Sequence, residues 1–116
     1  MYVYILSCEG GCLYTGIAAD PEKRLRQHLG LIKGGAKFTV SHPVRCVAAL
    51  WEDKSGKYAR SLEGQLKKRL THAEKLRLCE KPDTPFSEFG TEVPDDAFEY
   101  ISPAALNEKY DLKKEL

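Results

Sequence analysis

Two short runs of aromatic and branched residues, Tyr2–Cys8 and Cys12–Ile17, open the chain, with Gly10 and Gly11 between them. Such residues suit a pleated surface, and paired glycines tolerate the positive φ of a tight turn, so the segment predicts a β-hairpin. A lone hairpin is marginal in water and needs another strand or a helix on its apolar side. The mostly apolar run Val44–Trp51, closed by a turn at Asp53–Gly56, predicts the third strand. Between them, Asp20-Pro21-Glu22 has the N-cap carboxylate, the proline and the acidic first turn of a helix start, with Leu25, Leu29 and Ile32 following at helical spacing. Glycines at 30, 34 and 35 end that helix in a basic, Gly-rich loop, Lys33–Thr39. A second helix is predicted over Tyr58–Leu70, with Ala59, Leu62, Leu66 and Leu70 on its buried stripe. Gly64 inside it costs about 1 kcal/mol against alanine, which predicts a close backbone approach there. Thr71-x-x-Glu74 is a capping box that restarts a short helix to Cys79. The order strand, strand, helix, strand, helix, helix predicts an α/β (α+β) fold: a small three-stranded, mainly antiparallel sheet flanked by helices.

A chain of 116 residues fits one core with a modest appendage. The net charge of +1 hides an asymmetry: residues 1–81 hold fifteen Lys and Arg against eight Asp and Glu, and residues 82–116 hold three against nine. A basic body suits a phosphate-binding surface; the plainer account is uneven surface charge. The chain divides there, into a domain over 1–81 and an acidic, proline-containing extension over 82–116. Phe86, Phe89, Phe98, Tyr100 and Ile101 predict that this tail docks on the domain, and Ser102-Pro103 opens a short helix with Leu106 and Tyr110. The tail either lies across the basic surface and competes with nucleic acid, or completes the core, and its acidic face is a candidate dock for a protein partner. Cys8, Cys12, Cys46 and Cys79 form no C-x-x-C pair, which argues against zinc and for reduced thiols. With no membrane-length apolar run and no basic leader, a cytoplasmic location is expected.

Five polar residues stand where a core has little use for them. Tyr4 and Tyr14 lie in the two hairpin strands, and Arg24 and His28, four apart, share a helix face. Glu63 sits one residue past Leu62, beside the buried stripe. Singly, each has a plain explanation; Glu63 with Lys67 at i+4 is the geometry of a surface ion pair. Together, Val3-Tyr4-Ile5, Leu13-Tyr14-Thr15-Gly16, Arg24 and His28 in a Lys-Arg-Leu-x-x-His frame, and a helical Glu63 resemble the GIY-YIG nuclease family. Gly-Ala-Lys-Phe-Thr at 35–39 and Leu70-Thr71 look most like its small single-domain bacterial members. The resemblance covers residues 1 to about 81 and rests on the ordered set. The chain departs from the family in lacking the first motif's glycine, in Thr15 for isoleucine, and in Ile17, where the excision-repair branch is basic.

What the resemblance implies is a metal-dependent endonuclease acting on DNA, with RNA an open alternative. A tyrosine serves as general base, Tyr4 preferred and Tyr14 beside it, and His28 orients or deprotonates that phenol. A free phenol has a pKa of about 10 and is a poor base at neutral pH. Arg24 and a metal-bound Glu63 are expected to lower it, while Arg24 grips phosphate through its donor fork. Glu63, a hard oxygen ligand, holds Mg²⁺ or Mn²⁺. Lys33, Lys37, Arg60, Lys67, Lys68 and Arg69 are candidate phosphate contacts, and Lys67 alternatively tunes the metal site. With no second DNA-binding module, recognition of structure or of single strands is expected rather than of a long sequence. The rival reading is a weak or inactive scaffold that binds nucleic acid or a protein.

Overall fold

The opening hairpin is formed by β1 (Tyr2–Cys8) and β2 (Cys12–Ala18), antiparallel, in a computed structural model that describes residues 1–113. Gly10 and Gly11 take φ of 84° and 73° at its turn, a region costly to any residue with a Cβ. Cys8 and Cys12 face one another across it as free thiols. On its other side β1 pairs antiparallel with β3 (Val44–Asp53), which leaves β1 in the middle of the sheet.

The sheet has four strands, in the order β2-β1-β3-β4, where the sequence predicts three. The fourth, β4 (Phe98–Tyr100), lies in the acidic tail and pairs antiparallel with Trp51–Asp53. Three residues around a glutamate carry no readable strand pattern, and it is the open edge of β3 that makes them a strand. The tail covers that edge further down: Ile101 N donates to Leu50 O, and the buried Asn107 side chain bonds both the N–H and the carbonyl of Val47. Asn107 belongs to α5 (Ala104–Lys109), the predicted short terminal helix. Residues 114–116 of the extension lie outside the described residues.

Both faces of the sheet are covered, which is why β1 reads as a continuous apolar run rather than an alternating one. Val3, Ile5, Ala49 and Trp51 face α3 (Ala59–Arg69) and α4 (His72–Glu80) through Leu62, Leu66 and Leu78. The tail finishes this layer with Phe86, Val93 and Phe98, and Pro82 O accepts a hydrogen bond from the Trp51 indole. Tyr4, Leu6, Val47 and Leu50 face the opposite layer, built on α1 (Pro21–His28) through Leu25, with Leu106 of α5 packed against it.

Local signals decide where the helices begin. Asp20 caps α1 by accepting from Lys23 N, and Thr71 and Glu74 close the predicted capping box of α4. Asp53 ties β3 to α3: its carboxylate accepts from the backbone N–H of Ser55, Gly56, Tyr58 and Ala59 and from the Ser55 hydroxyl. These bonds hold its pKa below the usual carboxylate value even though burial opposes them. Three expectations need correction. Ile32 lies beyond α1, which ends at His28 with Gly30 in the left-handed region, and it is largely exposed. The Gly-rich loop contains a short helix, α2 (Lys37–Ser41). At Gly64 a Cβ would meet nothing within 4 Å, so no backbone approaches closely there. No helix among the described residues is long and apolar enough to cross a membrane.

Candidate active site

Register places Tyr4 of β1 opposite Gly16 of β2, and the Tyr4 phenol crosses directly over that glycine. A Cβ at position 16 would stand 2.6 Å from Tyr4 Cζ and closer still to the hydroxyl, so only glycine leaves the ring its place. Tyr4 is 4% exposed. Its oxygen lies 2.8 Å from His28 Nε2 at the last turn of α1. His28 Nδ1 is 3.0 Å from Thr39 Oγ1 of α2, and that hydroxyl donates to Ala36 O at 3.0 Å.

Tyr14 pairs with Leu6 in the register, so it projects from the same face as Tyr4. The two tyrosine rings are 6.4 Å apart, and the Tyr14 ring meets the edge of His28 at 5.1 Å. Phe38 stacks on Tyr14 at 5.7 Å, and His42 stacks on Phe38 at 4.4 Å, so an aromatic row runs outward from the paired phenols. Arg24, one turn before His28, donates from Nη1 to Gly34 O at 2.6 Å and to Gln27 Oε1 at 2.9 Å. A Cβ at Gly35 would stand 2.5 Å from the Gln27 carbonyl oxygen, and Gly34 takes a φ of 111°, which explains two glycines in a loop that must hug α1. Glu63 comes from the other layer, on α3, which packs against β2 and β1. Its carboxylate is 3.5 Å from Lys67 Nζ, and that amine stands 5.9 Å above the Tyr14 ring.

The Tyr4 phenol is therefore the group on which the other four predicted residues act: Tyr14, Arg24 and Glu63 electrostatically, and His28 through a hydrogen bond. The expected lowering of its pKa is not found in the protein alone. Burial, with smaller contributions from Tyr14 and Glu63, outweighs the donor effect of Arg24 and pushes the phenol up to about 12. Burial and the Arg24 charge push His28 in the opposite direction, down to about 4. The pair thus rests as a neutral phenol beside a neutral imidazole.

Among the described residues no group of three or more His, Cys, Asp or Glu is placed to hold a metal by itself. Glu63 nevertheless has the character of a single hard ligand: a part-exposed carboxylate, held among the described residues by a long ion pair, at the rim of the phenol site. Such a donor fits a small divalent cation that keeps water and phosphate oxygens as its other ligands. The six candidate phosphate contacts, Lys33, Lys37, Arg60, Lys67, Lys68 and Arg69, are all exposed. The tail engages Arg69, which donates to Gly90 O at 2.8 Å and lies 3.6 Å from Glu92. Thr39, Gln27, Phe38 and His42 were not legible as site residues; only the Gly-Ala-Lys-Phe-Thr string pointed to their neighbourhood.

A two-tyrosine hairpin, an Arg and His one turn apart, and a Glu reaching in from a second helix define a class, and the comparison with known proteins agrees. Residues 1–77 match the GIY-YIG catalytic domain, and the chain belongs to the GIY-YIG nuclease family. It is similar to a UPF0213 protein of Fusobacterium nucleatum, 40% identical over 83 residues that span 72% of this chain and 80% of that one. A UPF0213 protein of Syntrophus aciditrophicus is 45% identical over 69% of this chain and 90% of its own length. For one from Staphylococcus aureus the figures are 40%, 69% and 94%. No solved structure matches. The GIY-YIG match ends at Arg77, so the extension from Pro82 onward lies outside it.

Proposed function

We propose that the chain is a metal-dependent endonuclease that hydrolyses phosphodiester bonds in DNA, directed by structure or single-strandedness, with Tyr4 as general base. The observation that carries this reading is the meeting of Tyr14, Arg24, His28 and Glu63 around one buried phenol oxygen. Tyr4 is preferred to Tyr14 because it alone bonds His28 Nε2, which can take the phenol proton.

With Tyr4 at about 12 and His28 at about 4, that transfer is uphill in the free protein. It requires positive charge near the phenol oxygen, and Arg24 already supplies part of it. As the phenol proton passes to Nε2, the Tyr4 oxygen takes one from the attacking water. The resulting hydroxide forms the new P–O bond while the leaving oxygen departs. Arg24 has guanidinium donors beyond the Nη1 contacts to Gly34 and Gln27, and these bind the phosphate as its charge grows. Glu63 would hold Mg²⁺ or Mn²⁺, as nucleases of this family generally use a divalent metal. Such an ion supplies charge neutralisation at the phosphate and a more acidic water. The exposed lysines and arginines add affinity without reading sequence. Cytoplasmic location, and a protein partner on the acidic tail, belong to the same proposal.

The test is incubation of pure protein with labelled single-stranded, nicked, branched and duplex DNA and with RNA, in Mg²⁺, Mn²⁺ or chelator. Glu63→Gln should abolish cleavage and leave binding within a few-fold and the fold intact. Metal-independent cutting, or full activity in Glu63→Gln, would remove the assignment of Glu63. Binding without cutting on any substrate would favour the scaffold reading.

A further inference from the structure

Thr39 is 3% exposed and carries no role in the catalytic scheme above, yet it is the partner of His28 Nδ1. A hydroxyl has a single proton to give, and the Thr39 proton goes to Ala36 O at 3.0 Å, because a carbonyl can only accept. Nδ1, also 3.0 Å from Oγ1, must then donate to it. A neutral imidazole carries one N–H, so Nε2 is bare. The other end of the chain fits the same arrangement: a bare Nε2 can only accept, and the Tyr4 hydroxyl, 2.8 Å away, is placed to donate to it. The four groups form one directed chain: Tyr4 O–H to His28 Nε2, His28 Nδ1–H to Thr39 Oγ1, Thr39 O–H to Ala36 O.

We propose that Thr39 is a positioning residue that locks His28 in the Nδ1–H tautomer, so that Nε2 always faces the Tyr4 phenol as an acceptor. In the opposite tautomer Nε2 would present a proton to that phenol and could not receive one. The catalytic consequence rests on the nuclease reading given above; the tautomer itself does not. The local fold makes the lock rigid. Thr39 is the third residue of α2, and its acceptor Ala36 is that helix's N-cap, so donor and acceptor are held by the same turn. The Tyr14–Phe38–His42 row fixes the residues on either side.

Two variants test this. Thr39→Val keeps the shape and removes the hydroxyl; Thr39→Ser keeps the hydroxyl. Nitrogen NMR of ¹⁵N-labelled His28 at neutral pH should show a protonated-type Nδ1 and a bare-type Nε2 in wild type and Thr39→Ser. The Nε2–H form should rise in Thr39→Val. Against a labelled DNA oligonucleotide with Mn²⁺, Thr39→Val should lose roughly tenfold or more in kcat with little change in KM, as when an orienting partner is removed. Thr39→Ser should stay within a few-fold. An Nε2–H signal in wild type would overturn the proposal, as would a Thr39→Val protein that keeps both tautomer and rate. If no variant, wild type included, cleaves any substrate, the nuclease reading fails, and the NMR result alone still decides the tautomer.

Discussion

Single atoms control this site. At position 16 the absence of a Cβ is what lets the Tyr4 ring lie across β2, so Gly16→Ala must move either the strand or the phenol. Over-packing of this kind costs about 1–3 kcal/mol. Because the displaced group is the proposed base, cleavage should fall at least about tenfold, a larger effect than the loss of stability implies. Unchanged rate and melting temperature would show that the backbone absorbs the methyl. His28 gives a pH prediction whose sign follows from its lowered pKa. The unfolded chain titrates at about 6.5 and the folded protein near 4, so between these values the unfolded state binds the extra proton. Stability contributed by the neutral imidazole is present above about pH 6.5 and is lost as pH falls toward 4. Urea denaturation across this range should show a shallower acid slope for His28→Gln than for wild type; identical slopes would remove His28 as the source.

At the scale of elements, α3 joins the two halves of the site. Its start is fixed by Asp53, its buried stripe by Leu62 and Leu66, and its part-exposed side carries Glu63 and Lys67 toward Tyr14. Gly64 has open space where its Cβ would be, and its helical position needs no glycine. Gly64→Ala should therefore stabilise the protein by about 1 kcal/mol, read as a higher urea midpoint with an unchanged slope. A lower midpoint would mean that the glycine is packed after all. If the variant is more stable but cuts more slowly, the space beside Glu63 is used by the substrate. In the loop against α1 the glycines at 34 and 35 do the opposite: Gly34 takes a φ of 111°, a Cβ at 35 would meet the Gln27 carbonyl at 2.5 Å, and this loop supplies the carbonyl that holds Arg24.

For the whole molecule, the question is what the acidic tail does. Its aromatic residues enter the core: Phe86 and Phe98 pack on Trp51 or on one another, and β4 with Asn107 covers the β3 edge. On the other face, Lys109 and Tyr110 bind Glu22 at 2.6 and 2.7 Å and so tie the tail to α1, the helix of Arg24 and His28. Losing a buried Phe costs about 3–5 kcal/mol, and a domain's total stability is about 5–15 kcal/mol. Truncation after Lys81 should thus yield a protein that is unfolded or that aggregates through the exposed β3 edge, seen by circular dichroism and size-exclusion chromatography. A folded monomer with a near wild-type melting temperature would contradict this and return the tail to a masking or docking role.

The hairpin, the first and third helices and the capping box of the fourth were legible in the chain because their signals are local. A proline after an aspartate, a pair of glycines or an apolar repeat acts on its neighbours whatever the rest of the fold does. The set Tyr4, Tyr14, Arg24, His28 and Glu63 was legible only jointly, through its order and its resemblance to a family, because each residue singly has a plain packing or surface explanation. What tertiary structure decided is everything that depends on a distant partner. Phe98–Tyr100 is a strand only because β3 has an open edge, and Gly16 is required only because a phenol crosses it from the next strand. Tyr4 rises to about 12 because two layers close over it, a balance of burial against one guanidinium that no linear spacing encodes. Thr39 reads as an ordinary loop threonine until α2 folds it under His28, eleven residues earlier in the chain, where its one proton sets the direction of the others.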